Sequence, residues 1–145
     1  MDICEFPFDK NLLAYCGLYC GQCSFKTAHD EHDPAHLDAV PYTFTRLDIS
    51  AYNCGGCKGH CICGPCRIRP CASSKGIDSC AECSDFPCEH ISSFADDGVP
   101  HHRAALENLH GILKNGTEAW YKSLTPLRCS CGKRQTWYYT CPEHK

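Results

Sequence analysis

Thiols two residues apart are the recurrent chemical feature of this chain. Cys54-Gly-Gly-Cys57, Cys63-Gly-Pro-Cys66 and Cys80-Ala-Glu-Cys83 repeat that spacing, with Cys61, Cys71 and Cys88 between and after them. Two sulfurs on one short turn can reach the same tetrahedral ion, so the pattern reads as metal ligation by thiolate. The order along the chain does not say which pairs share an ion. His60, beside Cys61, reads as a neighbour of the sulfurs rather than a ligand.

Two further groups flank this stretch. Upstream, Cys16-Gly-Leu-Tyr-Cys20-Gly-Gln-Cys23 has the Cys-x3-Cys-x2-Cys spacing that radical enzymes using S-adenosylmethionine employ to hold three irons of a four-iron cluster. Gln22 stands where those enzymes usually carry an aromatic residue, and their barrel needs a longer chain. The three thiolates are therefore expected to serve a structural site. Downstream, Cys129-Ser-Cys131 and Cys141-Pro-Glu-His144 flank an alternating stretch through Trp137 and Tyr138, which reads as a zinc ribbon with those four side chains as donors. Cys4 stands alone and reads as a small hydrophobe. A thioredoxin-like use of any Cys-x-x-Cys pair needs a buried strand before it and a helix after it, and neither Cys54 nor Cys63 has these flanks.

Composition points the same way. Leu, Ile, Val and Phe make up 25 of 145 residues while cysteine contributes 16, and an aliphatic share below about 20% is low for a chain that closes over a core by packing alone. Ligation is expected to supply much of the folding energy, with zinc as the ion and about three or four ions per chain. The first ten residues are acidic and hold no apolar run, which reads as no signal peptide and a reducing, cytoplasmic setting where thiols persist. No apolar stretch is long enough for a membrane span. Seven acids face two bases in residues 1–40, whereas seven bases face three acids in residues 101–145. The basic end is the candidate contact for an acidic partner.

The elements that must position these groups are few. Residues 2–15 read as an irregular arm with Phe6, Phe8, Leu12 and Leu13 as contacts. A short helix is predicted from Pro34 with Asp33 capping it, and His29, His32 and His36 read as surface histidines. Leu47, Ile49 and Tyr52 suggest a brief strand. Leu106, Leu109, Ile112 and Leu113 recur at helical spacing, predicting a helix over residues 101–114, with His101 and His102 exposed at its start. Asn115-Gly116 ends it, and Thr117 can cap a second helix over residues 118–124. The resulting fold class is a small metal-stabilised α+β chain. It comprises an irregular Cys-rich metal-cluster domain with a helical hairpin over residues 1–125 and a C-terminal zinc-ribbon-like module over residues 126–145.

The run Ala14-Tyr-Cys16-Gly-Leu-Tyr-Cys20-Gly-Gln-Cys23, with Cys54-Gly-Gly-Cys57-Lys, Cys66-Arg-Ile-Arg-Pro-Cys71-Ala and Lys75-Gly-Ile-Asp-Ser-Cys80-Ala-Glu-Cys83-Ser-Asp-Phe-Pro-Cys88, resembles the cysteine-rich family catalogued as domain of unknown function 3795. The resemblance covers roughly residues 14–95. Some members carry a C-terminal ribbon with paired Cys-x-x-Cys and a Trp-Tyr strand. This chain departs from it in the shorter Cys129-x-Cys131 pair and in His144 where a cysteine would stand. The resemblance implies metal binding and a cytosolic prokaryotic setting, and no reaction.

No Ser, His and Asp set, phosphate loop or paired-carboxylate signature occurs, so no catalytic residue is assigned. The leading reading is a zinc-binding protein whose ions are mainly structural and whose surface serves a protein partner. An iron–sulfur protein for electron transfer is the alternative, since four thiolates suit either metal. A third reading is nucleic-acid binding, with Lys122, Arg128, Lys133, Arg134 and Lys145 around Trp137, Tyr138 and Tyr139. Against it, those aromatics can instead pack the ribbon against the helical hairpin.

Overall fold

A computed structural model describes residues 8–59, 61, 66–123 and 135–139 of the chain. Six α-helices are present among them: α1 (Ser24–Asp30), α2 (Ala35–Asp38), α3 (Ile68–Ser74), α4 (Glu89–Ala95), α5 (Arg103–Asn115) and α6 (Thr117–Ser123). Single 3-10 turns at Cys20–Gln22, Ile49–Tyr52, Cys80–Glu82 and Pro100–His102 link or precede them.

The long helix α5 organises the rest. Ala105 and Leu109 are fully buried and Ile112 nearly so, a one-face pattern at spacings of four and three. Helix α4, helix α6 and the Cys80–Glu82 turn all pack on α5. Leu113, expected on the buried face, is 62% exposed. The face is rotated toward Ala105 because the chain near Gly17 seats there. Helix α5 stops at Gly116, whose φ of +86° is open to a residue without Cβ.

The N-terminal segment turns back at Gly17. An antiparallel bridge joins Leu13 to Tyr19, with Ala14 N–H donating to the Leu18 carbonyl at 2.8 Å. Gly17 has φ +93°, and a Cβ there would lie 2.7 Å from Leu109 Cγ and 2.8 Å from the Ala105 carbonyl. Asn108 on α5 completes the seat by donating to the Gly17 carbonyl at 3.0 Å. On the other side the Tyr15 carbonyl accepts from Cys80 N–H at 2.8 Å. Leu13, Leu18, Tyr19, Ile68, Ile91, Leu109 and Trp120 form the main core, while Ala28, Leu37 and Tyr52 make a smaller one under α1 and α2.

These observations correct the α+β, metal-stabilised expectation. Among the described residues there is no strand beyond that single bridge, and no group of three or more His, Cys, Asp or Glu side chains stands where it could hold a metal ion. The predicted strand at Leu47, Ile49 and Tyr52 is a 3-10 turn over Ile49–Tyr52, fixed by Asp48, whose carboxylate accepts from Ser50 N–H at 3.0 Å. Around Trp137 the chain bends, with Thr136 N–H donating to the Tyr139 carbonyl at 3.0 Å. That closed turn occupies backbone groups a ribbon strand would have offered sideways. The rest of the expected ribbon, with Cys129, Cys131, Cys141 and His144, lies outside the described residues, as does Cys4.

Other expectations hold. Helix α2 begins after Pro34 with Asp33 accepting from Ala35 N–H at 3.0 Å, and α5 and α6 pack together on either side of Gly116. No helix among the described residues is long and apolar enough to cross a membrane.

Gly17→Ala should lower stability by about 2–4 kcal/mol, combining left-handed strain with overpacking. Gly98→Ala, at φ +92° with nothing near its Cβ, should cost only about 1 kcal/mol. Urea unfolding of the two variants checks the difference.

Candidate functional site

The cysteines divide into two groups according to the elements that carry them. Cys16 and Cys20 sit on the segment that Gly17 seats against α5, and Cys20 N–H donates to the Leu12 carbonyl at 2.6 Å. Cys23 is the N-cap of α1, its sulfur accepting from Lys26 N–H at 3.5 Å. Cys54 accepts from Gly56 N–H at 3.4 Å, and Cys57 N–H donates to Cys20 Sγ at 3.4 Å. The left-handed Gly56, φ +91°, turns the backbone so that these amides face sulfur. From α3, the Arg69 guanidinium donates to Cys61 Sγ at 3.1 Å.

Cys16, Cys20, Cys23, Cys54, Cys57 and Cys66 line a single cavity of about 710 Å³. Burial pushes the Cys16 thiol far up, and the nearby sulfurs of Cys57, Cys66 and Cys80 add to the effect. Cys57 is also pushed far up, first by its hydrogen bond with the Cys20 thiol and then by burial. Cys61 and the Arg69 charge pull the other way. Thiols this close resist ionising together because each thiolate raises the cost of the next.

The second group holds Cys71 on α3, Cys80 and Cys83 on and just after the 3-10 turn, and Cys88 at the cap of α4. Glu82 ties the turn down by accepting from Asp78 and Ser79 N–H. Burial pushes the Cys80 thiol up to about 12, and Cys88, Cys83 and Cys71 reinforce it. Cys83 moves the opposite way because the Lys75 ammonium, 3.0 Å away, donates to its sulfur. Lys75 also reaches Asp85 at 3.2 Å.

Cys16, Cys20, Cys23, Cys54, Cys57, Cys61, Cys66, Cys71, Cys80, Cys83 and Cys88 are all free thiols. Cys63 and His60 lie outside the described residues. Six of these thiols line the cavity, none of the described groups is preset to hold a metal ion, and thiolate as a donor suits a soft or borderline cation by its chemistry.

The remaining wall was not visible in the cysteine pattern. Phe94 stacks on His102 with ring centres 3.9 Å apart, and His101 stacks on Trp137 at 4.2 Å and 9°. All four rings line the cavity, with Lys26, Arg67 and Arg69. His101 and His102 are thus part-buried, contrary to the exposed reading. The position of His101 follows from Tyr138, whose hydroxyl meets both His101 N–H (3.0 Å) and His101 Nδ1 (2.5 Å). His102 Nδ1 pairs with Asp97 at 2.6 Å. His36 likewise departs from expectation. It is fully buried, with Nδ1 3.2 Å from Thr136 Oγ1, because residues 135–139 fold over α1 and α2. Trp137 N–H donates to the Gln22 carbonyl at 2.9 Å and Ser24 bonds Thr136. Trp137 and Tyr138 thus pack, half-buried, against His101 and the segment around Gln22 and Ser24. Arg67 and Arg69 were legible only as part of Cys66-Arg-Ile-Arg.

A family model described as a protein of unknown function (DUF3795) matches residues 12–93. No curated protein and no solved structure matches the chain.

Burial, with the adjacent His102, pushes His101 down from 6.5 to about 4, against the pull of Asp97. Between these values the unfolded chain takes up a proton that the folded chain refuses. The contribution of His101 is therefore complete above about pH 6.5 and is lost as pH falls toward 4. His101→Phe should flatten the fall of stability in that window, as read by urea unfolding at stepped pH. The Asp97 carboxyl, held low by Val99 N–H and His102, should leave a residual acid sensitivity below it.

Proposed function

We propose a thiolate metal-binding role for this chain, which belongs to the DUF3795 family, a family of proteins of unknown function. The observation that carries the reading is how sulfur is treated in and beside the cavity. Cys20, Cys23, Cys54 and Cys61 each accept a hydrogen bond from an N–H donor. Such donors stabilise sulfur that carries negative charge far more than a neutral thiol. Six thiols along one wall, with no disulfide among the described cysteines, are a donor set in search of a cation. A bound ion supplies the positive charge that lets crowded thiols lose their protons.

Zinc is the ion this reading favours, held by Cys20, Cys57, Cys61 and their neighbours as the side chains rotate inward, and serving mainly to fix the loops. The outer surface then serves a protein partner. A second reading, an iron–sulfur cluster, draws on the cavity itself. About 710 Å³ is more room than a single ion occupies, and hydrogen bonds to sulfur are the means by which such clusters are tuned.

Elemental analysis and an absorption spectrum of protein purified without oxygen test both. A colourless solution with about three or four zinc per chain supports the first reading. In that case Cys20→Ser with Cys57→Ser should remove about one ion. Iron with acid-labile sulfide and a brown solution replaces it with the second. Metal-free protein of unchanged stability overturns both.

A further inference from the structure

The cavity carries more than thiols. Its volume, about 710 Å³, lies within the roughly 300–1,000 Å³ of small-molecule sites, and its wall is mostly apolar with a few polar groups converging on it. Two stacked pairs, His101 on Trp137 and Phe94 on His102, stand side by side, the imidazoles meeting edge to face at 4.5 Å. Phe25 and Tyr42 line the same space.

With the thiols of this wall protonated, its charges do not cancel. Lys26 is paired with Asp30 at 2.6 Å, and Asp97 with His102 at 2.6 Å. That leaves the guanidinium groups of Arg67 and Arg69 against Glu89, which is exposed on the first turn of α4. Arg69 donates to Cys61 Sγ and also engages the Cys57 sulfur, while its Nε is buried and has no hydrogen-bond partner among the described residues. A buried donor left without an acceptor costs stability, and an anion in the cavity can supply that acceptor.

We propose that the cavity is a binding site for a planar aromatic anion, its ring lying against the His101–Trp137 and Phe94–His102 walls and its acidic group meeting Arg69 and Arg67. Flat faces and imidazole edges suit a ring, and a guanidinium fork suits a carboxylate, sulfonate or phosphate. The site needs no bound metal, so it stands or falls apart from the metal-binding role.

The test uses the full chain as purified, with 8-anilinonaphthalene-1-sulfonate as the planar anion and N-phenyl-1-naphthylamine as the same rings without the charge. The expected result is saturable fluorescence with one sulfonate dye per chain, the neutral dye binding at least about tenfold more weakly, the scale of one lost charge-assisted contact. Arg69→Gln should weaken the sulfonate dye by about the same factor, as should the exposed Arg67→Gln if the first variant fails to fold. Leu113→Ser, which removes the most exposed large apolar side chain among the described residues, should leave binding unchanged. Equal affinity for the two dyes, arginine variants that bind as the parent does, or loss of binding in Leu113→Ser would each overturn the site. Metal measured in the same samples separates the two hypotheses, because dye binding without metal keeps the site and removes the metal role.

Discussion

The contact between the Gly17 turn and the Ala105–Leu109 face of α5 is the constraint from which the cysteine geometry follows. The approach is so close that a single Cβ would meet Leu109 and the Ala105 carbonyl at under 3 Å. With the turn seated, Tyr15 offers its carbonyl to Cys80 and Asn108 closes over Gly17. One packed turn therefore positions Cys16 and Cys20 on one side and the Cys80–Glu82 turn on the other. The Cys16–Cys20 segment and the Cys80–Glu82 turn share a foundation though they lie some sixty residues apart in the sequence.

Around that foundation the sulfurs experience opposing influences. Burial and neighbouring sulfurs raise Cys16 and Cys80, and the hydrogen bond with Cys20 followed by burial raises Cys57, while amides, a guanidinium and an ammonium donate hydrogen bonds to the sulfurs of Cys20, Cys23, Cys54, Cys61 and Cys83. Thiols with no such neighbours would remain small hydrophobes. The cavity joins this sulfur wall to an aromatic and cationic one.

The short segment 135–139 completes that second wall. It sets Trp137 on His101, gives His101 the Tyr138 hydroxyl, and covers His36 with Thr136 and Tyr139. The acid sensitivity expected of His101 is a direct result of this coverage, since an imidazole in water would keep its ordinary affinity for protons.

Local order was legible from the residues alone. The spacing around Leu109 and Ile112 marked α5, Asn115-Gly116 marked its end, Pro34 marked α2, and the cysteine spacing marked the family, because each depends on neighbours within a few positions. What tertiary structure decided was everything joined across long separations. The inward turn of His36, the stacking of His101 on Trp137, the donation from Arg69 to Cys61 and the absence of a strand among the described residues leave no periodic trace. The low aliphatic content suggested a chain held by ligation, yet Tyr19, Trp120 and buried alanines build a core that a count of Leu, Ile, Val and Phe does not register. The sequence determined which donors exist and which helices form. The Gly17 turn pressed on α5, a contact between residues about ninety positions apart, determined which of those donors face one another.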